Sequence, residues 1–279
     1  PIINTPDMFG REVADVAMGY VIALARETFE IDRAVRKGEW IKPRGISLSG
    51  KTVALVGFGD IGQSTAKRLL AADMNVIAYD PFAGNNPNLP KVEREVWPDR
   101  VEEADFIVVT CSLTKSSYHM VNPDVFKQAK DGVRIVNVGR GPIIDETSLE
   151  DALKSGKVYS AALDVFEVEP LPMDSYLRSH PHCIFGSHNA SNTADAVERT
   201  SHIAINRLFN FVNTTRKAHH IRHSWCNILR LWKCHGGIIV LAARATISTA
   251  MFLGNICFSF CSFGAGFRGV FSIAVISFC

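Results

Sequence analysis

A glycine-punctuated turn, L-V-G-F-G-D-I-G at residues 55–62, leaves this chain few folds to choose from. The apolar stretch Thr52–Val56 runs into it, and a helical pattern over Ile61–Ala72 runs out of it. A lone G-x-G-x-x-G is weak, but strand, turn and helix together are what the motif needs to hold a pyrophosphate. Gly57 makes the tight turn, Gly59 lets a phosphate approach the backbone, and Gly62 lets helix and strand close on each other. The free N–H groups at the start of the helix face the anion. Asp80 closes the next apolar run, eighteen residues after Gly62. An acid there accepts hydrogen bonds from ribose hydroxyls and repels a 2′-phosphate, so NAD is expected rather than NADP.

The pattern repeats downstream. Asn75–Tyr79, Phe106–Thr110, Ile135–Val138, Tyr159–Val165 and Cys183–Gly186 are short and rich in Val and Ile, as strands buried on both faces are. Helices are predicted between them at Pro123–Ala129, behind an Asn122 cap, and at Glu146–Lys154. The fold class is therefore α/β, a doubly wound parallel sheet of Rossmann type. One long helix is predicted from Glu12 to Arg36, with Val13, Val16, Tyr20, Leu24, Ile31 and Val35 on its apolar face. A further amphipathic helix is predicted at Asn192–Val212, and beyond Arg216 the periodicity dissolves.

Five ordered segments stand out: N-T-P with E-V-A at 4–14, G-F-G-D-I-G at 57–62, N-V-G-R-G-P-I-I-D-E at 137–146, A-L-D-V-F-E-V-E-P at 162–170 and S-H-N-A-S-N-T at 187–193. Together they resemble the D-isomer-specific 2-hydroxyacid dehydrogenases, the family that includes D-3-phosphoglycerate dehydrogenase. The resemblance implies an NAD-dependent interconversion of a D-2-hydroxy acid and its 2-oxo acid. It puts the catalytic residues at Arg140, Glu169 and His188, and the cofactor along Gly57, Gly59, Asp60, Ile61, Gly62, Asp80, Val138, Gly139, Arg140, Asp164 and His188. Asp60 and Ile61 would lie beside the pyrophosphate, and Asp164 at the nicotinamide carboxamide. The chemistry suits these residue types. Imidazole, with an ordinary pKa of ~6.5, can move a proton in either direction near neutrality. A carboxylate beside it orients the ring and favours its charged form, and a guanidinium grips a substrate carboxylate through paired hydrogen bonds. Glu167 is read as a solvated loop acid, and His119, His180, His182 and His202 as solvated or structural.

The same resemblance sets the expected organisation. Residues 1–191 form the dinucleotide-binding domain, with 1–6 the remnant of a link from a largely missing substrate domain. Residues 192–216 belong to that substrate domain as its carboxy-terminal helix. With half of the crevice absent, NAD binding with little turnover is expected. A homodimer through Glu12–Arg36 and Trp40 is implied for the intact family form. A non-catalytic, NAD-sensing scaffold of the corepressor type is the alternative reading.

Residues 217–279 follow different rules. The 279-residue chain carries a net charge of +2, but no acid follows Glu198 for 81 residues, where ordinary usage predicts about ten. That tail is read as an atypical segment from a shifted frame or unspliced end, with no domain assigned. Its uncharged run at 245–267 is long enough to span a membrane, yet nine of its 23 residues are Gly, Ser, Thr or Asn, which makes it a poor anchor. No metal is expected, because Cys226, Cys234 and the nearby histidines lack a compact paired spacing. Over 1–216 the acids outnumber the bases, 28 to 24, which argues against nucleic acid as a partner. The scattered Cys111 and Cys183 point to a reducing, cytoplasmic setting.

Overall fold

The computed structural model describes residues 4–5, 7–218, 229–234 and 237–242, with side chains described up to residue 211. The chain divides into two compact units, residues 7–196 and a second made of 1–6 with 197–279.

The first unit is built on one sheet of seven parallel strands in the order β3-β2-β1-β4-β5-β6-β7. These are β1 (Thr52–Val56), β2 (Asn75–Tyr79), β3 (Val92–Arg94), β4 (Phe106–Val109), β5 (Val133–Asn137), β6 (Val158–Leu163) and β7 (Cys183–Phe185). The six expected strands are present, and β3 is an addition. Its K-V-E-R-E-V setting has no apolar run, and it is held only as an edge strand beside β2. Strand order reverses between β1 and β4, which opens a crevice at their carboxyl ends.

Both faces of the sheet are covered. On one side α1 (Gly10–Arg26) and α3 (Asp60–Ala71) bury Val13, Val21, Leu24 and Leu69 against Val53, Leu55 and Phe106. On the other, α4 (Pro123–Gln128) and α5 (Glu146–Lys154) bury Phe126, Leu149 and Leu153 against Ile107 and Ile135. The Asn122 side chain caps α4, accepting from the N–H groups of Asp124 and Val125.

The single helix expected over Glu12–Arg36 is two, α1 and α2 (Thr28–Arg36). Glu27 breaks it by adopting the left-handed region at φ 54°, and its buried carboxylate accepts a hydrogen bond from the Tyr159 hydroxyl at 2.8 Å. The break changes the helical phase, so Val35 is exposed instead of continuing the apolar face.

Helix α6 (Ala194–Ala218) starts two residues later than expected and runs further. In the second unit, Arg207 donates to the Asn4 carbonyl at 2.7 Å. Backbone pairing joins β8 (Leu229–Cys234) and β9 (Gly237–Ala242) antiparallel, an element the loss of periodicity did not suggest. The 245–267 stretch, Ile2–Ile3 and Cys226 lie outside the described residues. Among the described residues no helix is long and apolar enough to cross a membrane.

Gly62 shows how tightly α3 sits on β1, because a methyl group there would stand 2.2 Å from the Gly57 carbonyl oxygen. Gly62→Ala is expected to destabilise the fold by about 1–3 kcal/mol, read as a lower urea midpoint at unchanged slope.

Candidate active site

The candidate residues gather because every parallel strand ends at the same edge. Backbone bonding continues just past the strands: Gly57 N–H donates to Tyr79, Thr110 to Val56, Val138 to Val109, Asp164 to Asn137 and Gly186 to Leu163, at 2.8–3.1 Å. The five turns that leave this edge are thus fixed to one another before any side chain is considered.

Gly57 has φ +100°, and a Cβ there would meet the Cys111 backbone at 2.6 Å. Gly59 differs, since nothing lies within 4 Å of its missing Cβ. It stands exposed at the start of α3, which no side chain caps. This is a cradle for a ligand that brings its own negative charge to free N–H groups. Asp80 faces it. Its Oδ2 accepts from Phe58 N–H at 2.8 Å, and its Oδ1 from Phe82 and Ala83 at 2.9 and 3.1 Å. Burial pushes the Asp80 carboxyl up, but these three donors and the nearby Arg94 guanidinium prevail and hold it below the usual range. The carboxylate stays charged and partly open. Ile61 is half-buried behind the turn. The Asp60 carboxylate lies against Gly10 at the start of α1, while its backbone stays in the glycine turn.

On the far side of the switch point, buried Asn137 shapes the next turn. Its Oδ1 accepts from Gly139 N–H and its Nδ2 donates to the Arg140 carbonyl, both at 3.0 Å. Val138 and Gly139 are buried. Half-buried Arg140 spends one of its five N–H donors on the Gly139 carbonyl at 2.7 Å. Gly141 then presses on the backbone of Phe166, with no room for a Cβ, so the arginine turn and the turn after β6 touch directly.

Glu169, in that second turn, meets His188 from the turn after β7. Glu169 Oε1 accepts from Phe166 N–H at 3.0 Å, and its Oε2 lies 2.8 Å from His188 Nδ1. His188 has φ 55°, a conformation held by its N–H bond to the Asp164 carbonyl at 2.7 Å. Asp164, only 3% exposed, accepts from the N–H groups of Asn189 and Ala190 at 3.2 and 2.9 Å. Both of its oxygens are thus committed to shaping the histidine turn. Burial and the Asp164 charge push the Tyr20 hydroxyl beside it up to about 12.

Two residues were given no part in the site by the sequence. Cys111 lies between the Gly57 and Gly139 turns, its thiol pushed up to about 11 by burial. Only its position just past β4, at the edge where the other strands also end, could have marked it. Glu167, expected to be solvated, is half-buried and bonded to His119 at 2.7 Å.

The model of the D-isomer specific 2-hydroxyacid dehydrogenase family, NAD binding domain, matches residues 18–190. The chain belongs to this family. It is 41% identical over 213 residues to a hydroxypyruvate reductase of Thermotoga maritima, a match covering 75% of this chain and 69% of that one. It is 37% identical over 205 residues to a D-3-phosphoglycerate dehydrogenase of Methanocaldococcus jannaschii, covering 70% and 38%. Among solved structures, a glyoxylate reductase from Paecilomyes thermophila superposes with a TM-score of 0.68 at 30% identity, covering 74% of this chain and 62% of that one. The chain thus spans from about two fifths to about two thirds of these relatives. They are named as reductases and dehydrogenases, and the scaffold reading finds no support among them. The matched residues lie within the unit 7–196, and the open cradle at Gly59 with the charged Asp80 fits NAD.

Because the Cys111 thiol ionises only near pH 11, its alkylation is expected to be slow at pH 8 and to rise about tenfold per pH unit towards that value. NADH is expected to slow it further, as read by peptide mapping of Cys111.

Proposed function

We propose that this protein interconverts a D-2-hydroxy acid and its 2-oxo acid with NAD. The reading is carried by the 2.8 Å contact between His188 Nδ1 and Glu169 Oε2 at the edge where the glycine turn also ends. NAD, when bound, accepts or supplies the hydride. The carboxylate fixes the imidazole through Nδ1 and so leaves Nε2 to work on substrate. In reduction, His188 Nε2 gives its proton to the oxo-acid oxygen as charge develops there, and in oxidation it takes the hydroxyl proton. Arg140 binds the substrate carboxylate through the donors it does not spend on Gly139. Asp164 orders the turn that presents His188, at the end of the crevice assigned to the nicotinamide. Asp80 accepts from the adenosine ribose, and the N–H groups at Gly59, Asp60 and Ile61 receive the pyrophosphate.

The proposed organisation assigns 1–191 to the dinucleotide domain and joins 1–6 with 192–216 on the substrate side. The compact unit that pairs 1–6 with residues from 197, and the Arg207–Asn4 bond within it, support this division. A homodimer through α1, α2 and Trp40 belongs to the same reading, supported by exposed Ile22, Phe29, Val35 and an 80% exposed Trp40. A cytoplasmic setting is supported by two free thiols, Cys111 and Cys183.

The test is NADH oxidation by the chain joined to the amino-terminal substrate region of a relative, with a panel of 2-oxo acids that includes glyoxylate and hydroxypyruvate. His188→Ala is expected to lower kcat by about 10²–10⁴ while NADH still binds, and Arg140→Lys to raise KM for the oxo acid. Full turnover in His188→Ala would remove the acid–base role. NADH uptake without oxidation by any oxo acid would favour the scaffold.

A further inference from the structure

We infer that His119, Glu146 and Glu167 brace the Arg140 turn against the Glu169 turn, making Glu167 a positioning residue for the acid–base pair. The inference rests on the function proposed above.

Glu146 opens α5 at the end of the arginine segment, and Glu167 sits two residues before Glu169. They bond reciprocally. Glu146 N–H donates to Glu167 Oε1 and Glu167 N–H donates to Glu146 Oε2, each at 3.1 Å. A third strap comes from the segment after β4, where His119 Nε2 lies 2.7 Å from the same Glu167 Oε1 and His119 N–H donates to the Pro142 carbonyl at 2.9 Å. Tyr118 stacks on the His119 ring at 4.0 Å. Three connections that leave the sheet separately are thereby tied at one carboxylate.

The tie reaches the proposed chemistry through one peptide. Glu167 N–H is fixed by Glu146, and the neighbouring Phe166 N–H is the donor that fixes Glu169 Oε1. Glu169 then holds His188 through its other oxygen. Gly141 leaves no gap between the two turns, so a slack brace would move Glu169 relative to Arg140. Small misplacements of this kind cost rate while leaving cofactor contacts elsewhere intact. Asp145 also lies beside His119 and Glu167, and it is occupied in capping α5 through Ser148. Burial pushes the Glu146 carboxyl up, and the charges of Glu167 and Glu150 add to that against the Glu167 N–H bond.

The test compares the full chain with Glu167→Ala, Glu167→Gln, Glu146→Ala and His119→Asn by amide exchange, NADH titration and steady-state kinetics. Each alanine variant is expected to speed exchange at the other partner's amide, residue 146 in Glu167→Ala and residue 167 in Glu146→Ala. Glu167→Ala is expected to lower kcat about tenfold with NADH affinity unchanged, and Glu167→Gln, which keeps an acceptor oxygen, to recover most of it. If Glu167→Ala does not fold, His119→Asn removes one strap and is expected to lower kcat severalfold in a folded protein. Unchanged exchange at the partner amides overturns the brace whether or not the chain turns over. Altered exchange with wild-type kcat overturns the positioning role. A wild-type chain that oxidises no NADH even when joined to a relative's amino-terminal substrate region counts against the proposed function, and amide exchange still decides the brace.

Discussion

The structure depends on hydrogen bonding that does not stop where its strands stop. A parallel sheet sends all its carboxyl ends to one edge, and here the ladder extends a residue beyond β1, β4, β5, β6 and β7. Irregular turns that would otherwise move independently inherit the sheet's registration. Short polar side chains then finish what the backbone begins. Asn137 folds the arginine turn, Asp164 the histidine turn and Asp80 the glycine turn, each by satisfying N–H groups that the sheet leaves over. Two of these three, Asp164 and Asn137, are almost wholly buried, a place where polar groups persist only when their bonds are made.

Much of this was legible in the sequence, for an identifiable reason. Strands buried on both faces are written as unbroken apolar runs, so β1, β2, β4, β5, β6 and β7 could be read directly, as could α4 from its Asn122–Pro123 start. Gly57, Gly59 and Gly62 could be assigned because each answers a separate steric demand. What could not be read was whatever depends on partners distant in the chain. The break at Glu27 is fixed by Tyr159, 132 residues away. β3 exists because β2 offers it an edge. Glu167 resembles any loop acid until His119 and Glu146 are brought to it, 48 and 21 residues distant in sequence. The approach of the Asp60 carboxylate to Gly10, fifty residues away in sequence, was likewise invisible in the motif.

The site divides its labour between rigid and accessible groups. His188 and Glu169 remain about two fifths exposed, while backbone groups beneath hold the Glu169 carboxylate and the His188 turn. This arrangement keeps the chemistry on loops and the precision in the sheet. The partial spans of the relatives fit that division, since the matched region holds the cofactor edge and its turns.

The Asp80 turn has a consequence for altering the coenzyme. Its carboxylate is also the internal scaffold of three peptide groups, those of Phe58, Phe82 and Ala83. Exchanging it for a neutral or basic residue to welcome a phosphorylated ribose would do more than invert a charge. It would orphan the donors that define the pocket's rim, so redesign must replace the whole loop from 80 to 83 and not a single side chain.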